Sequence, residues 1–514
     1  MSADTKNALT DFDFSLALAQ LAINSQMTYA WRAWKRRFNF CDKISIFKTW
    51  KDGKIIPSKV GFDATIAPIK ISMNVPEGKF GQVKVMLPMT SATVTYFDEE
   101  AGGLTRYSFQ DGSIAFISDL DRKPIDLEVL KQIAPDVYQA ASDVIARSGL
   151  PDSVFSIEYL FLKFTEVDLL LANNNDIHLP ADMPGAARDK ILSSLNFLLQ
   201  GELGDFMVGT VVRRNSKTSA PTFALTDFVF DVHANTQSPE ASTLAYVGML
   251  AGHGMPDVNI ARAKLTDPWI RPSQLDGTEG TISGVMGISK RVFMDDYLIK
   301  TFSANLGLQP KAEGLKWTFA DEKSAVRSTR DIIDRKWNSG RSYTFELGIV
   351  PGTATLSIAG TIKSHAHMDG YTLGARWHTE WMRAAGRKNL SGSVTLPGGG
   401  IGADFQLKAE AKHGFGDLIV DKDEVVGGAV VLNAFEDVFK DMSFIGSTTK
   451  ERLDHQQEDL VEHLKKWLDE IFDHINVDLS QHAFIPPGGG TFTFQNPRFS
   501  QAGDLIFDVI YQAP

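Results

Sequence analysis

FSLALAQLAINSQMTYAWRAWKRRF, residues 14–38, decides how the fold is read. Wound at 3.6 residues per turn, it puts Phe14, Leu18, Leu21 and Trp31 on one side and Leu16, Ile23, Met27 and Trp34 on another. The apolar stripe is too wide for a single covering partner, so the spacing predicts one long helix over residues 14–38 that is covered on more than one face. Most of the sequence around it is strand-like, which makes curved antiparallel sheet the expected cover. At its far end Lys35, Arg36 and Arg37 stand where cations offset the negative pole of the helix dipole. The same three cations beside Trp31 and Trp34 would also suit an interfacial anchor in peripheral membrane contact.

Outward from this stretch the pattern is extended. ISIFKTW, ATIAPIKISMNV, QVKVML, SATVTYF and RYSFQDGSIAFI follow one another between residues 44 and 117. Asp52-Gly53, Glu77-Gly78, Gly102-Gly103 and Asp111-Gly112 punctuate them and predict a run of antiparallel hairpins. Helical spacing returns at Leu127, Leu130, Ile133, Val137, Ala141 and Val144, and again at Leu192, Leu195 and Leu199, as amphipathic covers. Further strands are expected within residues 154–172, over FMVGTVVRR and over residues 223–234. Gly, Pro and Asp then crowd residues 248–284, an irregular connection and the expected boundary between an N-terminal module (residues 1–247) and a C-terminal one (residues 285–514).

The second half alternates more cleanly. Leu356, Ile358, Ile362, Ala366 and Met368 interleave with Thr355, Ser357, Thr361, Lys363, His365 and His367, a strand with one wet face. Residues 403–412 repeat the pattern. Residues 449–475 predict a long helix whose stripe of Leu453, Leu460, Leu464, Trp467, Leu468, Ile471 and Ile475 is worth on the order of 10 kcal/mol when buried, before entropy. TFTFQ and LIFDVIYQ close the chain as strands.

The 514 residues exceed one compact core, and 33 Phe against 10 Tyr and 9 Trp suit broad apolar interiors. With 52 basic and 63 acidic residues the net charge is −11, which disfavours nucleic acid as a partner. The single Cys41 excludes an intrachain disulfide and suits a cytoplasmic protein or one secreted without a signal peptide. Asp11 and Asp13 precede the first apolar stretch, which has no basic flank or cleavage site and so is read as mature protein. No run reaches the roughly 18 uncharged apolar residues of a spanning helix.

Motifs for chemistry are sparse. His365 and His367 share a strand face, but a zinc site needs further ligands than Asp369 or His378 can be fixed to provide, so they read as surface histidines. Gly398-Gly399-Gly400 and Gly488-Gly489-Gly490 lead into strands without the Lys-Ser/Thr pair of a phosphate loop. No nucleophile elbow or zinc-protease motif occurs, and Asp295-Asp296 reads as a charged helix rim. The sequence therefore predicts no catalytic residues, no metal and no cofactor.

Three segments carry a resemblance. GVMGISKRVFMDDYLIKTF (residues 284–302), TYAWRAW (residues 28–34) and AFIPPGGGTFTFQNPRFSQAGDLIFDVIYQ (residues 483–512) resemble the forty-seven-kilodalton protein family encoded beside botulinum neurotoxin and insecticidal toxin genes. That family belongs to the tubular lipid-binding (TULIP) superfamily. The resemblance implies an elongated α+β fold, with long helices wrapped by highly curved antiparallel sheets and lipid in the groove between. On this chain it implies a non-enzymatic protein that buries acyl chains against Phe14, Leu18, Leu21, Met27, Trp31 and Trp34. The alternative is a companion of a toxin or secreted complex, with a groove filled by side chains and a protein partner from the same gene cluster.

Overall fold

A computed structural model describes residues 9–37, 43–52, 54–75, 81–148, 155–164, 169, 177–203, 205–214, 223–266, 268–276, 281–330, 334–371, 378–396, 407–408, 419–421, 483–486 and 491–512. The fold is α+β with antiparallel sheets. The chain divides into two units. One comprises Thr5–Val292, Asn476–Asn496 and Asp504–Pro514, and the other Met1–Asp4, Phe293–Ile475 and Pro497–Gly503.

The larger unit opens with β1 (Phe14–Ala19), α1 (Gln20–Arg37), β2 (Lys43–Lys51), β3 (Lys54–Ile66), β4 (Lys70–Ser72), β5 (Gln82–Asp98) and β6 (Gly103–Pro124). It continues through α2 (Leu127–Ile133), α3 (Pro135–Ser148), β7 (Phe155–Lys163), β8 (Ile177–His178), α4 (Gly185–Phe197), β9 (Asp205–Arg214), β10 (Leu225–His233) and β11 (Thr243–Leu250). Then come α5 (Val258–Ala263), α6 (Pro272–Leu275) and β12 (Gly284–Ile288). A π-helical stretch, Arg291–Ile299, leads to α7 (Lys300–Leu306). The smaller unit holds β13 (Lys311–Glu313), β14 (Lys316–Arg330), β15 (Asp334–Val350), β16 (Thr355–Tyr371), β17 (His378–Thr395), β18 (Leu407–Lys408) and β19 (Ile419–Asp421). Last are β20 (Ala483–Ile485), β21 (Thr491–Phe499) and β22 (Leu505–Gln512).

The predicted helix over residues 14–38 is corrected at its start. FSLALA is strand β1, hydrogen-bonded to β11 on one side and β12 on the other, and all six of its residues are buried. A strand buried on both faces has no polar alternation, so its apolar run fits a helical stripe equally well. The helix begins only at Gln20, whose N–H closes the ladder on Ser242 O at 2.8 Å. It ends at Arg37, so the basic trio does occupy the last turn.

In the six-stranded sheet β10-β11-β1-β12-β22-β21, β1 lies third. Ala17 and Ala19 face one way and join Ala245, Val247, Val285 and Ile506. Ala261, Leu265, Trp269, Ile270 and Ile282 cover them, so residues 248–284 supply a hydrophobic layer along with α5 and α6.

The second sheet of this unit runs β2-β3-β5-β6-β7-β9-β20, with β4 beside β5 and β8 beside β6. Its hairpins follow the turn chemistry. Lys51 pairs with Lys54 around Asp52 at φ 51°, and Asp98 pairs with Gly103 beside Gly102 at φ 63°. Asp111-Gly112 is a correction: β6 runs through it unbroken, and Asp111, at φ 55°, stands opposite Thr90, which pairs with neither neighbour of β5. The left-handed residue that a turn requires also serves to kink a long strand, and the dipeptide does not say which. The helices expected over residues 127–144 form as two, broken before Pro135. They bury Leu130, Val137, Ala141 and Ile145 on Phe155, Ile157, Val212 and Ile485. α4 covers β2, β3 and β5 with Ile191 and Leu195 buried.

In the smaller unit β14 to β17 pair antiparallel in sequence, β16 spanning the predicted alternating segment. Phe302 of α7 packs against Phe319 and Phe345, and Trp317 donates its indole N–H to Asp295 Oδ1 at 2.9 Å. Of residues 403–412 only Leu407 and Lys408 are described, and the helix predicted over residues 449–475 lies outside the described residues.

Candidate functional site

Phe14, Leu16 and Leu18 point to the opposite face of β1 from the alanines, and what meets them is aromatic. The Phe14 ring stacks on Phe484 of β20, with centroids 5.7 Å apart and planes 5° from parallel. Phe484 also meets Tyr246 at 4.9 Å and Phe228 at 5.8 Å, and Phe230 meets Tyr246 at 5.6 Å. The two sheets of the larger unit thus share one ring cluster. Burial pushes the Tyr246 hydroxyl well above the ordinary phenol range.

An ionic network borders the rings. The Arg122 guanidinium lies 4.3 Å from the Phe228 centroid and pairs with Asp227 at 2.6 Å and Glu158 at 3.0 Å. Arg213 binds the other oxygen of Glu158 at 2.7 Å. Glu158 is buried, and two guanidiniums offset the cost of taking its charge out of water.

Helix α1 buries Ile23, Met27 and Trp31. It is tied to the sheet along a polar seam. Asn24 accepts the Ile71 N–H at 2.7 Å and donates to Ile71 O at 3.0 Å, while Gln20 Oε1 accepts the Met73 N–H at 2.7 Å. The amide of Asn24 therefore imitates a neighbouring strand beside β4. Tyr29 of α1 stands 6.5 Å from Tyr511, whose hydroxyl is pushed up to about 12, by burial first and then by Tyr29.

Of the six residues expected to line a lipid groove, Phe14 and Leu18 share one face of β1, and Met27 and Trp31 lie one turn apart on α1. Leu21 is 37% exposed, and the side chain of Trp34 lies outside the described residues. Trp31, at 2% exposure, is buried rather than an interfacial ring, because the helix turns it inward with Met27. Phe228, Tyr246 and Phe484 were not singled out from sequence, although the alternation of Phe228 and Phe230 in FVFDV places both rings on one strand face.

Asp13 is fully buried, and its carboxylate engages four residues. Oδ1 accepts from Ser289 Oγ at 3.1 Å and from Arg291 Nε at 3.0 Å and Nη2 at 2.5 Å. Oδ2 accepts from Leu250 N at 3.2 Å and engages His253 Nδ1 at 2.6 Å. With both oxygens occupied, the group serves as a pin for the strand ends around it. Among the described residues no three His, Cys, Asp or Glu side chains converge as a metal-ligand set. The side chains of His365 and His367 lie outside the described residues. Among the described residues no helix is long and apolar enough to cross a membrane.

Asp504 gives a pH test of this unit's fold. Burial raises its carboxyl above the ordinary range, and the amides of Lys290 and Leu9 pull it partly back. The folded chain therefore keeps a proton in a window where the unfolded chain has lost it. This group's contribution to stability falls as pH rises from the ordinary carboxylate value through the raised one. Asp504→Asn is expected to flatten the pH dependence in that window, checked by urea midpoints across a pH series.

No family model matches the sequence, and no curated protein matches it. Among solved structures the chain is similar to P47 from Clostridium botulinum A2, with 10% identity and a TM-score of 0.45 over 98% of each chain. It is also similar to a lipopolysaccharide binding protein, with 12% identity and a TM-score of 0.27 over 98% of this chain and 99% of that one.

Proposed function

We propose that this protein is a non-enzymatic binder of a lipid or other hydrophobic ligand, held in TULIP-like fashion between α1 and the strands it covers. The observation that carries the proposal is the construction of α1. Its apolar side chains Ile23, Met27 and Trp31 turn inward, while its attachment at β4 runs through the amides of Gln20 and Asn24. A cover held by a polar seam stays in place while the flexible Met27 thioether and its neighbours shift to admit an acyl chain. Each square ångström of acyl surface taken from water contributes about 25 cal/mol. The resemblance of the three sequence segments to a lipid-binding superfamily supports the same reading.

A second reading, a protein companion whose interior is closed by its own side chains, is favoured by one contact. Phe484 stacks on Phe14 and touches Phe228 and Tyr246, so side chains fill that part of the interior. Mass spectrometry of the purified chain, native and then after organic extraction, separates the two. Stoichiometric co-purifying lipid supports the binder. A clean apo mass, with no uptake from vesicles, supports the companion, and a toxin-gene neighbourhood would then point to the partner.

A further inference from the structure

Three of the seven large apolar side chains left exposed among the described residues lie together at one end of the nine-stranded sheet. Ile55, Phe97 and Leu104 are 50%, 54% and 53% exposed. Phe97 and Leu104 are cross-strand partners next to the β5–β6 turn, and Ile55 adjoins the β2–β3 turn. Both turns lie at the same end, because β3 runs antiparallel to β5 with Gly61 opposite Thr95. Following β3 back toward Lys54 therefore leads the same way as following β5 forward to Asp98.

Charge sets this end apart from the rest of the chain. Within residues 48–59, the part of the β2–β3 hairpin near its turn, there are four lysines, Lys48, Lys51, Lys54 and Lys59, against the single acid Asp52, on a chain of net charge −11. All four are exposed. The neighbouring turn carries Asp98, Glu99 and Glu100, with Arg106 just beyond it, so the whole end holds five cations and four carboxylates. Asp98 is engaged locally, its Oδ1 accepting the N–H groups of Glu100 at 2.9 Å and Ala101 at 3.1 Å.

We infer that this end of the sheet docks on an anionic phospholipid surface, with Ile55, Phe97 and Leu104 entering the interfacial layer and the β2–β3 lysines lying over the headgroups. Lysines are compact, strongly hydrated charges on flexible stems. Spread along a hairpin, they match the diffuse charge of a lipid surface better than the planar, paired geometry of a protein site. The negative remainder of the chain is repelled by the same surface, which orients the molecule end-on. This surface is separate from the interior ligand proposed above and does not depend on it.

The test is flotation of the full chain with vesicles of phosphatidylcholine alone and with roughly a third phosphatidylserine, where screening limits the attraction to about 10 Å at ordinary salt. Binding is expected only with phosphatidylserine, and it is expected to weaken in high salt. Lys51→Glu with Lys54→Glu replaces two attractions by two repulsions and should weaken binding at least about tenfold. Ile55→Asp, tested separately, should also weaken it. Both changes lie on an exposed hairpin, and an unchanged thermal transition confirms the fold. No binding, equal binding to both vesicles, or binding retained by the double lysine variant would overturn the inference. Lipid extracted from the purified protein reports on the interior alone and should be the same in the hairpin variants and the parent.

Discussion

Phe14→Ala is expected to lower the stability of the larger unit by about 4 kcal/mol, the cost of truncating a large ring in a core that cannot collapse around the void. The ring is 1% exposed, and its neighbours have little freedom to move in. On one side its cross-strand partner is Gly248, where a Cβ would come within 2.4 Å of Asp227 O. On the other side is Ile288, itself buried and held in β12. Phe484 would lose its stacked partner. The urea midpoint checks the stability loss, and lipid extraction from the same sample checks the role of the ring. A loss of stability with unchanged bound lipid makes Phe14 part of the filled interior. A parallel loss of lipid makes it part of the ligand's wall. Met27, on the helix that covers the sheet, is equally buried, and Met27→Ala should lower stability by about 2–3 kcal/mol and lower the bound lipid as well.

Strands with one wet face were legible because their period survives in the sequence. The alternating segment from Thr355 became β16. The turns at Asp52 and Gly102 were legible because a two- or four-residue connection with a left-handed backbone needs those residue types. FSLALA was misread for the opposite reason. A strand with neighbours on both edges and cover on both faces loses the alternation that would mark it. Asp111 was misread because a kink and a turn ask the same φ of it. In the candidate site, the buried Met27 and Trp31 could be found from the breadth of the α1 stripe, but the partners of Phe14 could not. Phe228, Tyr246 and Phe484 come from three other strands, and only the pairing of β20 with β9 brings Phe484 to the cluster. The same long-range packing turns Trp31 inward, against the membrane-anchor reading of the basic helix end. The half-exposed rim it leaves elsewhere, at Phe97 and Leu104, has no sequence signal apart from the turn beside it.

Asp13→Ala is expected to cost about 3 kcal/mol, through the donors it strands rather than through the loss of an ion pair. The Asp13 carboxylate is inaccessible to solvent and holds together the start of β1, the end of β11 at Leu250 and the chain leaving β12 at Ser289. Without it the Leu250 N–H and the Ser289 hydroxyl lose buried acceptors that water cannot readily replace. Arg291 is different: its side chain is 50% exposed, so the guanidinium freed by Asp13→Ala rehydrates at little cost. Arg291→Ala takes the cation from a buried carboxylate that keeps the Leu250 N–H, the Ser289 hydroxyl and His253, and should cost about 1–2 kcal/mol, less than Asp13→Ala. Asp13→Asn keeps one acceptor oxygen but turns an NH₂ group toward donors, so it should recover less than half of the alanine loss. Urea midpoints of the three variants decide between a backbone-and-hydroxyl pin and a charge pair. If Arg291→Ala matched Asp13→Ala, the ion pair would be the element holding these strand ends together. A smaller effect for Arg291→Ala beside a large one for Asp13→Ala assigns that role to the other partners, the Leu250 N–H, the Ser289 hydroxyl and His253. The buried carboxylate then acts as a multi-point acceptor at the base of the sheet on which the aromatic cluster is built.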